Sequence, residues 1–124
     1  MQLARMIGAE VYATVGSEEK AKYLMETFGL PRNRIFHSRD ASFVDGLMRE
    51  TNGKGADLVL NSLSGELLHA AWHCVAEFGK LVEIGKRDLL GGGRLEMDVF
   101  LASRSYSCIY LDQLVEKRKS VCKE

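Results

Sequence analysis

Ala56-Asp57-Leu58-Val59-Leu60-Asn61 is a near-continuous apolar run closed by a polar residue. Apolar residues on both sides of the alternation predict a strand covered on both faces, as in a parallel sheet. The segments around it agree. Asn52-Gly53-Lys54-Gly55 breaks the chain before it. After it, Ser64 is placed to cap a helix carrying Leu67, Leu68, Ala71, Trp72 and Val75, which Gly79 ends. Lys80-Leu81-Val82-Glu83-Ile84-Gly85 then reads as the next strand.

The same alternation extends in both directions. Upstream, residues 2–7 are helical in pattern and stop at Gly8, and Glu10–Val15 is rich in β-branched and aromatic residues. Ser17 follows as an N-cap with Glu18 and Glu19 in the first turn, where the helix dipole favours acids. Ala21, Leu24, Met25 and Phe28 recur at helical spacing until Gly29. Pro31 opens a loop, Arg34–His37 is a short strand, and Asp40-Ala41-Ser42 starts a helix striped by Phe43, Val44, Leu47 and Met48. Downstream of the Gly91-Gly92-Gly93 loop, Met97–Ala102 is a short helix, Tyr106–Leu111 a last strand and 112–122 a last helix. Strand and helix in alternation predict an α/β fold: a Rossmann-like parallel sheet of about five strands, with helices on both faces and right-handed crossovers.

Composition bounds what such a domain can do. Among 124 residues, 17 Lys+Arg balance 17 Asp+Glu, 46% are hydrophobic and 27% charged. Charge balance speaks against a nucleic-acid or anionic-membrane surface. No apolar run approaches the roughly 20 residues of a membrane span, and the first residues lack a secretory signal, so a cytoplasmic setting is expected. Cys74, Cys108 and Cys122 are too dispersed for a disulfide framework or a zinc site and read as ordinary thiols.

Ligands of open α/β sheets bind at the carboxyl ends of the strands. The residues there are Gly16-Ser17 with Lys20, His37-Ser38-Arg39, Asn61-Ser62-Leu63 and Gly85-Lys86-Arg87. NAD-binding domains place an acid at the end of the second strand, against the ribose 2′-hydroxyl. A hydroxyl and a cation, Ser17 and Lys20, suit a 2′-phosphate instead and point to NADP. The plainer alternative is a capped helix with a solvated lysine.

Four runs carry a family resemblance: Gly8–Lys20, Ile35–Asp40, Asp57–Glu66 and Val82–Asp88. Together they resemble the enoyl reductase domain of highly reducing, mostly fungal, polyketide synthases, and more distantly that of animal fatty acid synthase. Both belong to the quinone oxidoreductase-like group of medium-chain dehydrogenases/reductases. The resemblance runs from Gln2 to about Leu114. It implies NADPH-dependent reduction of an acyl-carrier-bound α,β-enoyl thioester, with hydride delivered to the β-carbon, a proton to the α-carbon, and no metal. It also implies that Ser17, Lys20 and Arg39 hold the 2′-phosphate. By the same resemblance, Asn61 and Leu63 would line the nicotinamide pocket, and Ile84 and Gly85 would pass close to the ring. Lys86 matches the proposed proton donor and Asp112 an acid proposed beside it. A rim lysine and a helix N-cap are the plainer readings of those last two.

The family's G-x-G-x-x-G turn is absent, and Gln2-Leu3-Ala4-Arg5 corresponds to the helix that follows it. Residues 1–124 are therefore expected to form a partial NADP-binding domain, lacking the family's first strand and the catalytic domain, and not to turn over substrate alone. Gly91-Gly92-Gly93 cannot replace the turn, having no strand before it. With the first strand missing, the family order 3-2-1-4-5-6 is expected to close to a flavodoxin-like 2-1-3-4-5, with Val11–Val15 laddered to Leu58–Asn61. Strand exchange in a homodimer is the fallback.

Other features read as ordinary structure. His69 and His73 share a helix face without a third ligand, Trp72 belongs to the core, and Lys117, Arg118, Lys119 and Lys123 complement a helix end. No Ser-His-Asp pattern is present. Beside the reductase reading stand a non-catalytic nucleotide-binding or interaction module and a domain that binds nothing.

Overall fold

A computed structural model describes residues 4, 6–85 and 87–109. It comprises two compact units, Met1–Gly53 and Lys54–Glu124.

In the first unit, β1 (Ala13–Val15) leads into α1 (Glu18–Phe28), then a 3-10 turn (Arg32–Arg34), β2 (Ile35–His37) and α2 (Ser42–Glu50). The strands pair in parallel, Ala13 opposite Ile35 and Val15 opposite His37. Ser17 caps α1 as expected, its hydroxyl accepting the Lys20 N–H at 3.3 Å. Gly29 ends the helix at φ +66°, its N–H turned back to the Leu24 and Met25 carbonyls. Val15, Ala21, Leu30 and Ile35 form the core, with Val11, Ala13 and Leu24 packed on it. Phe43, Gly46 and Leu47 are the buried positions of α2. A Cβ on Gly46 would stand 2.6 Å from the Phe36 ring, so a glycine in mid-helix lets that ring lie against the backbone.

In the second unit the order is β3 (Ala56–Asn61), α3 (Glu66–His73), β4 (Val75–Glu83), the single turn α4 (Arg87–Leu90), a 3-10 helix (Met97–Ala102) and β5 (Ser105–Cys108). The sheet is parallel in the order β3-β4-β5. Trp72, Val75 and Leu81 are fully buried at its centre. The Trp72 indole packs on Phe100 and Tyr106, at centroid distances of 4.7 and 5.8 Å. It also donates Nε1–H to the Glu96 carbonyl at 2.9 Å.

The parallel α/β class is as expected, and β3 has the expected bounds. Several local expectations are corrected. The first strand is shorter, beginning at Ala13 rather than Glu10. α3 stops at His73, so Val75 belongs to β4 and Gly79 lies within that strand. The register of β4 against β3 shifts between Ala56 and Leu58. At the shift Phe78 takes φ +63°, and a Cβ on Gly79 would meet the Ala76 and Asp57 carbonyls at 2.8 and 2.9 Å. Gly65, not Ser64, is the N-cap of α3; its N–H donates to Asp88 Oδ2 at 2.9 Å.

β3 is not covered on both faces, because Leu58 and Leu60 remain 65% and 69% exposed. Nor do the strands close into one sheet in the order 2-1-3-4-5: they form two sheets, β1-β2 and β3-β4-β5. The physical reason is one of scale. A three-residue β1 offers only a few ladder hydrogen bonds, each worth about 1 kcal/mol net. Each strand already finds its packing within its own unit. The last strand runs Ser105–Cys108, starting one residue before the expected Tyr106 and stopping short of Leu111; the last helix expected at 112–122 lies outside the described residues.

Candidate functional site

The chemistry expected at the strand ends falls into two corners, one in each unit. In the first unit, the ends of β1 and β2 are tied by the Ser38 N–H donating to the Val15 carbonyl at 2.9 Å. Gly16 lies between them; a Cβ there would stand 4.0 Å from Ser38 Oγ. Ser17 is half-buried at the mouth of α1, and Lys20 and Arg39 are exposed. Among the described residues neither cation has an ion-pair partner. The neighbouring acid Glu18 is engaged elsewhere, by Arg32 at 2.6 Å and by His37 at 3.9 Å. The corner therefore combines a hydroxyl, a helix N-terminus and two uncommitted cations, the chemistry a phosphomonoester requires.

In the second unit, the ends of β3 and β4 are joined by the Ile84 N–H donating to the Asn61 carbonyl at 2.9 Å. Asn61 is 2% exposed. Its Nδ2 donates to the Leu63 carbonyl at 2.9 Å and to Glu83 Oε2 at 2.6 Å, while its Oδ1 accepts the Leu63 N–H at 3.3 Å. Glu83, 3% exposed, also accepts the Gly85 N–H at Oε1, 2.8 Å away, and the Tyr106 hydroxyl at 3.4 Å. Burial first, and then the Glu83 charge, push the Tyr106 phenol above its ordinary range. A Cβ on Gly85 would sit 3.0 Å from Glu83 Oε1 and 3.2 Å from the Ser62 carbonyl. The strand end is thus built around the lack of a side chain, which lets the Gly85 backbone lie close against the Glu83 carboxylate and the Ser62 carbonyl.

Asn61, Leu63, Ile84 and Gly85 are therefore brought together; Ser17 and Lys20 share the start of α1, and Arg39 follows Ser38, whose N–H is tied to Val15 beside them. Lys86 and Asp112 lie outside the described residues. Glu83 went unassigned among the sequence candidates, although its signal was there: one acid inside the apolar run Leu81-Val82-Glu83-Ile84. Asp88, which fixes the start of α3, carried no comparable signal.

Of the two histidines on α3, His73 makes a structural contact. His73 Nε2 meets Glu96 Oε2 at 2.8 Å, and His69 Nδ1 is buried without a hydrogen-bond partner among the described residues. Cys74 is buried, and burial pushes its thiol up to about 11.

Parallel β-α units with polar residues and glycines at the carboxyl ends of the strands are the architecture of dinucleotide-binding α/β domains. Comparison with known proteins narrows the class: the zinc-binding dehydrogenase family matches residues 1–119, and the chain belongs to that family. The chain is 68% identical over 114 residues to the highly reducing polyketide synthase sphB of Aspergillus fumigatus, which covers 92% of this chain and 4% of that protein. It is 58% identical over 113 residues to the highly reducing polyketide synthase g433 of a Fusarium species, covering 91% and 4%. The chain thus spans a small part of these relatives' length.

Among solved structures it resembles the nucleotide-binding subdomain of the enoylreductase domain of PpsC from Mycobacterium tuberculosis, with TM-score 0.86, 32% identity, and coverage of 98% of this chain and 66% of that one. CurK enoyl reductase superposes with TM-score 0.77 at 32% identity, covering 98% of this chain and 35% of the other. The fold is accordingly the Rossmann-like nucleotide-binding one of enoyl reductases. The family's description names zinc, but no three His, Cys, Asp or Glu side chains among the described residues could hold a metal ion. The described residues do not form a zinc site.

Proposed function

We propose that this chain is the cofactor-binding part of an NADPH-dependent enoyl reductase acting on acyl-carrier-bound α,β-unsaturated thioesters in polyketide assembly. The observation that carries the reading is the pair of uncommitted cations, Lys20 and Arg39, beside the Ser17 cap at the ends of β1 and β2. An NAD-type domain would carry an acid toward the ribose there. The relatives and structural neighbours support the reductase class. No helix of the described residues is long and apolar enough to cross a membrane, in keeping with a cytoplasmic assembly.

The residues divide into three tasks. Ser17, Lys20 and Arg39 bind the adenosine 2′-phosphate. Asn61, Leu63, Ile84 and Gly85 receive the nicotinamide half, with Gly85 giving the ring its space. A bound NADPH supplies the hydride that reaches the β-carbon of the enoyl thioester. Lys86 stabilises the developing enolate and returns a proton to the α-carbon, with Asp112 assisting. The partners are the carrier-borne substrate and the remainder of the parent synthase.

Titration of the chain with NADPH and with NADH tests the reading, using Lys20→Ala and Arg39→Ala. A charge-assisted phosphate contact contributes about 1.5–3 kcal/mol, so each variant is expected to lose about tenfold or more in NADPH affinity while NADH is unaffected. Equal losses for both nucleotides would refute the assignment of the corner.

A further inference from the structure

We infer that Glu83 is a positioning residue for the nicotinamide pocket: its buried carboxylate clamps the Asn61–Leu63 segment to the turn at Gly85 and sets the polarity of the side-chain hydrogen bonds that join them. The inference rests on the reading above that these segments receive the nicotinamide half.

Every contact of this carboxylate is with a donor. Oε1 accepts the Gly85 N–H at 2.8 Å, and Oε2 accepts Asn61 Nδ2–H at 2.6 Å and the Tyr106 hydroxyl at 3.4 Å. Asn61 has no freedom to rotate its amide. Its Nδ2 already donates to the Leu63 carbonyl and its Oδ1 already accepts the Leu63 N–H. Flipping it would set donor against donor and acceptor against acceptor. The direction of the Asn61 amide, and through it the Leu63 backbone, follows from the charge on Glu83.

The backbone of Glu83 is fixed as well, its carbonyl accepting the Ile109 N–H at 2.9 Å. One side chain therefore ties β3, β4 and β5 together at their carboxyl ends. A buried charge this well satisfied is costly to disturb: changing one partner leaves a desolvated donor unpaired. A leucine would fill the space inside the strand as well as glutamate does, but it could not hold the turn that precedes Lys86.

The test uses Glu83→Gln and the exchange variant Glu83→Gln/Asn61→Asp, studied by amide NMR of the whole chain and by titration. Glutamine keeps the shape but turns an NH2 group toward a donor. In the exchange variant the carboxylate sits at position 61, where it accepts from the glutamine amide and from the Leu63 N–H but loses the bond to the Leu63 carbonyl. In Glu83→Gln, the Gly85 and Leu63 amide signals are expected to move and exchange faster. NADPH affinity should fall about tenfold, while affinity for adenosine 2′,5′-bisphosphate, which lacks the nicotinamide half, stays unchanged. The exchange variant should recover part of the lost NADPH affinity, through the restored 61–83 bond. Unmoved amide signals in a folded Glu83→Gln, unchanged NADPH affinity, or equal losses for both ligands would each overturn the role. If the unmutated chain binds neither ligand, the cofactor reading itself fails and this role with it; bisphosphate binding with unchanged NADPH affinity in Glu83→Gln defeats the inference alone.

Discussion

Gly55 stands at the entry to β3, and replacing it with alanine measures how tightly the second unit is closed at that point. Its φ is +85°, and a Cβ there would lie 2.4 Å from the Cys74 carbonyl oxygen. Ordinary C···O contacts begin at about 3.3 Å, so the carbonyl would have to retreat by nearly an ångström. That oxygen accepts the Ala56 N–H at 2.8 Å, the bond that begins the β3–β4 ladder. Losing it in a buried setting costs about 1–3 kcal/mol. The left-handed backbone adds about 1–2 kcal/mol for a residue with a Cβ, and the stiffer unfolded chain returns about 0.4–1 kcal/mol. The expected destabilisation is about 2–4 kcal/mol. Gly92 is the matched control: it too lies in the second unit, at φ +67°, with nothing within 4 Å of its Cβ position. Gly92→Ala meets only the backbone term and should cost about 1 kcal/mol or less. Urea denaturation of both variants, followed by Trp72 fluorescence, reports on the same unit. Equal losses in the two variants would refute the steric account of Gly55.

Three further perturbations probe the same structure. Cys74 has its folded-state pKa raised to about 11 from the ordinary 9.0, so the unfolded chain releases its proton first and stability is expected to fall as pH rises from about 9 to about 11. Cys74→Ala should flatten that part of the pH–stability profile, and an unchanged slope would contradict the burial argument. Arg104 donates Nε–H to the Val75 carbonyl at 2.6 Å and an Nη1–H to the Val99 carbonyl at 3.0 Å. Arg104→Ala should lower stability by about 1.5–3 kcal/mol, and Arg104→Lys should fail to restore it, because an ammonium cannot reproduce the fork; full rescue by lysine would show that only charge matters. Trp72→Phe keeps aromatic packing but gives up the bond to Glu96, which should cost about 1 kcal/mol in thermal melts, and a cost near zero would show that this bond adds nothing.

What was legible in the sequence was what local chemistry decides. Ser17 before two acids, Gly29 after an amphipathic stripe, and the apolar Ala56–Asn61 run each form the expected element. Their strand ends carry the candidate residues because parallel βα units place them there. What escaped is decided at longer range. Val75 continues the apolar stripe of α3, yet it is drawn into β4, where its carbonyl accepts Arg104 from 29 positions away. Gly79 looked like a helix stop; it is required by the carbonyls that crowd the bulge. Leu58 and Leu60 predicted cover on both faces, a property of what packs on a strand rather than of the strand itself. Glu83 was visible as an acid in an apolar run, but its partners come from Asn61, Gly85 and Tyr106, and only the fold brings them together. The single five-stranded sheet likewise rested on a pairing between distant segments, and the strands form two sheets instead.

The central claim is that the corner formed by Ser17, Lys20 and Arg39 selects a 2′-phosphate. Calorimetric titration of the unmutated chain with NADPH and NADH, at low and at moderate salt, tests it most directly. The account predicts at least about tenfold tighter binding of NADPH, from charge-assisted contacts of about 1.5–3 kcal/mol, with the preference shrinking as salt screens the exposed cations. Equal affinities for the two nucleotides, or a preference for NADH, would contradict it.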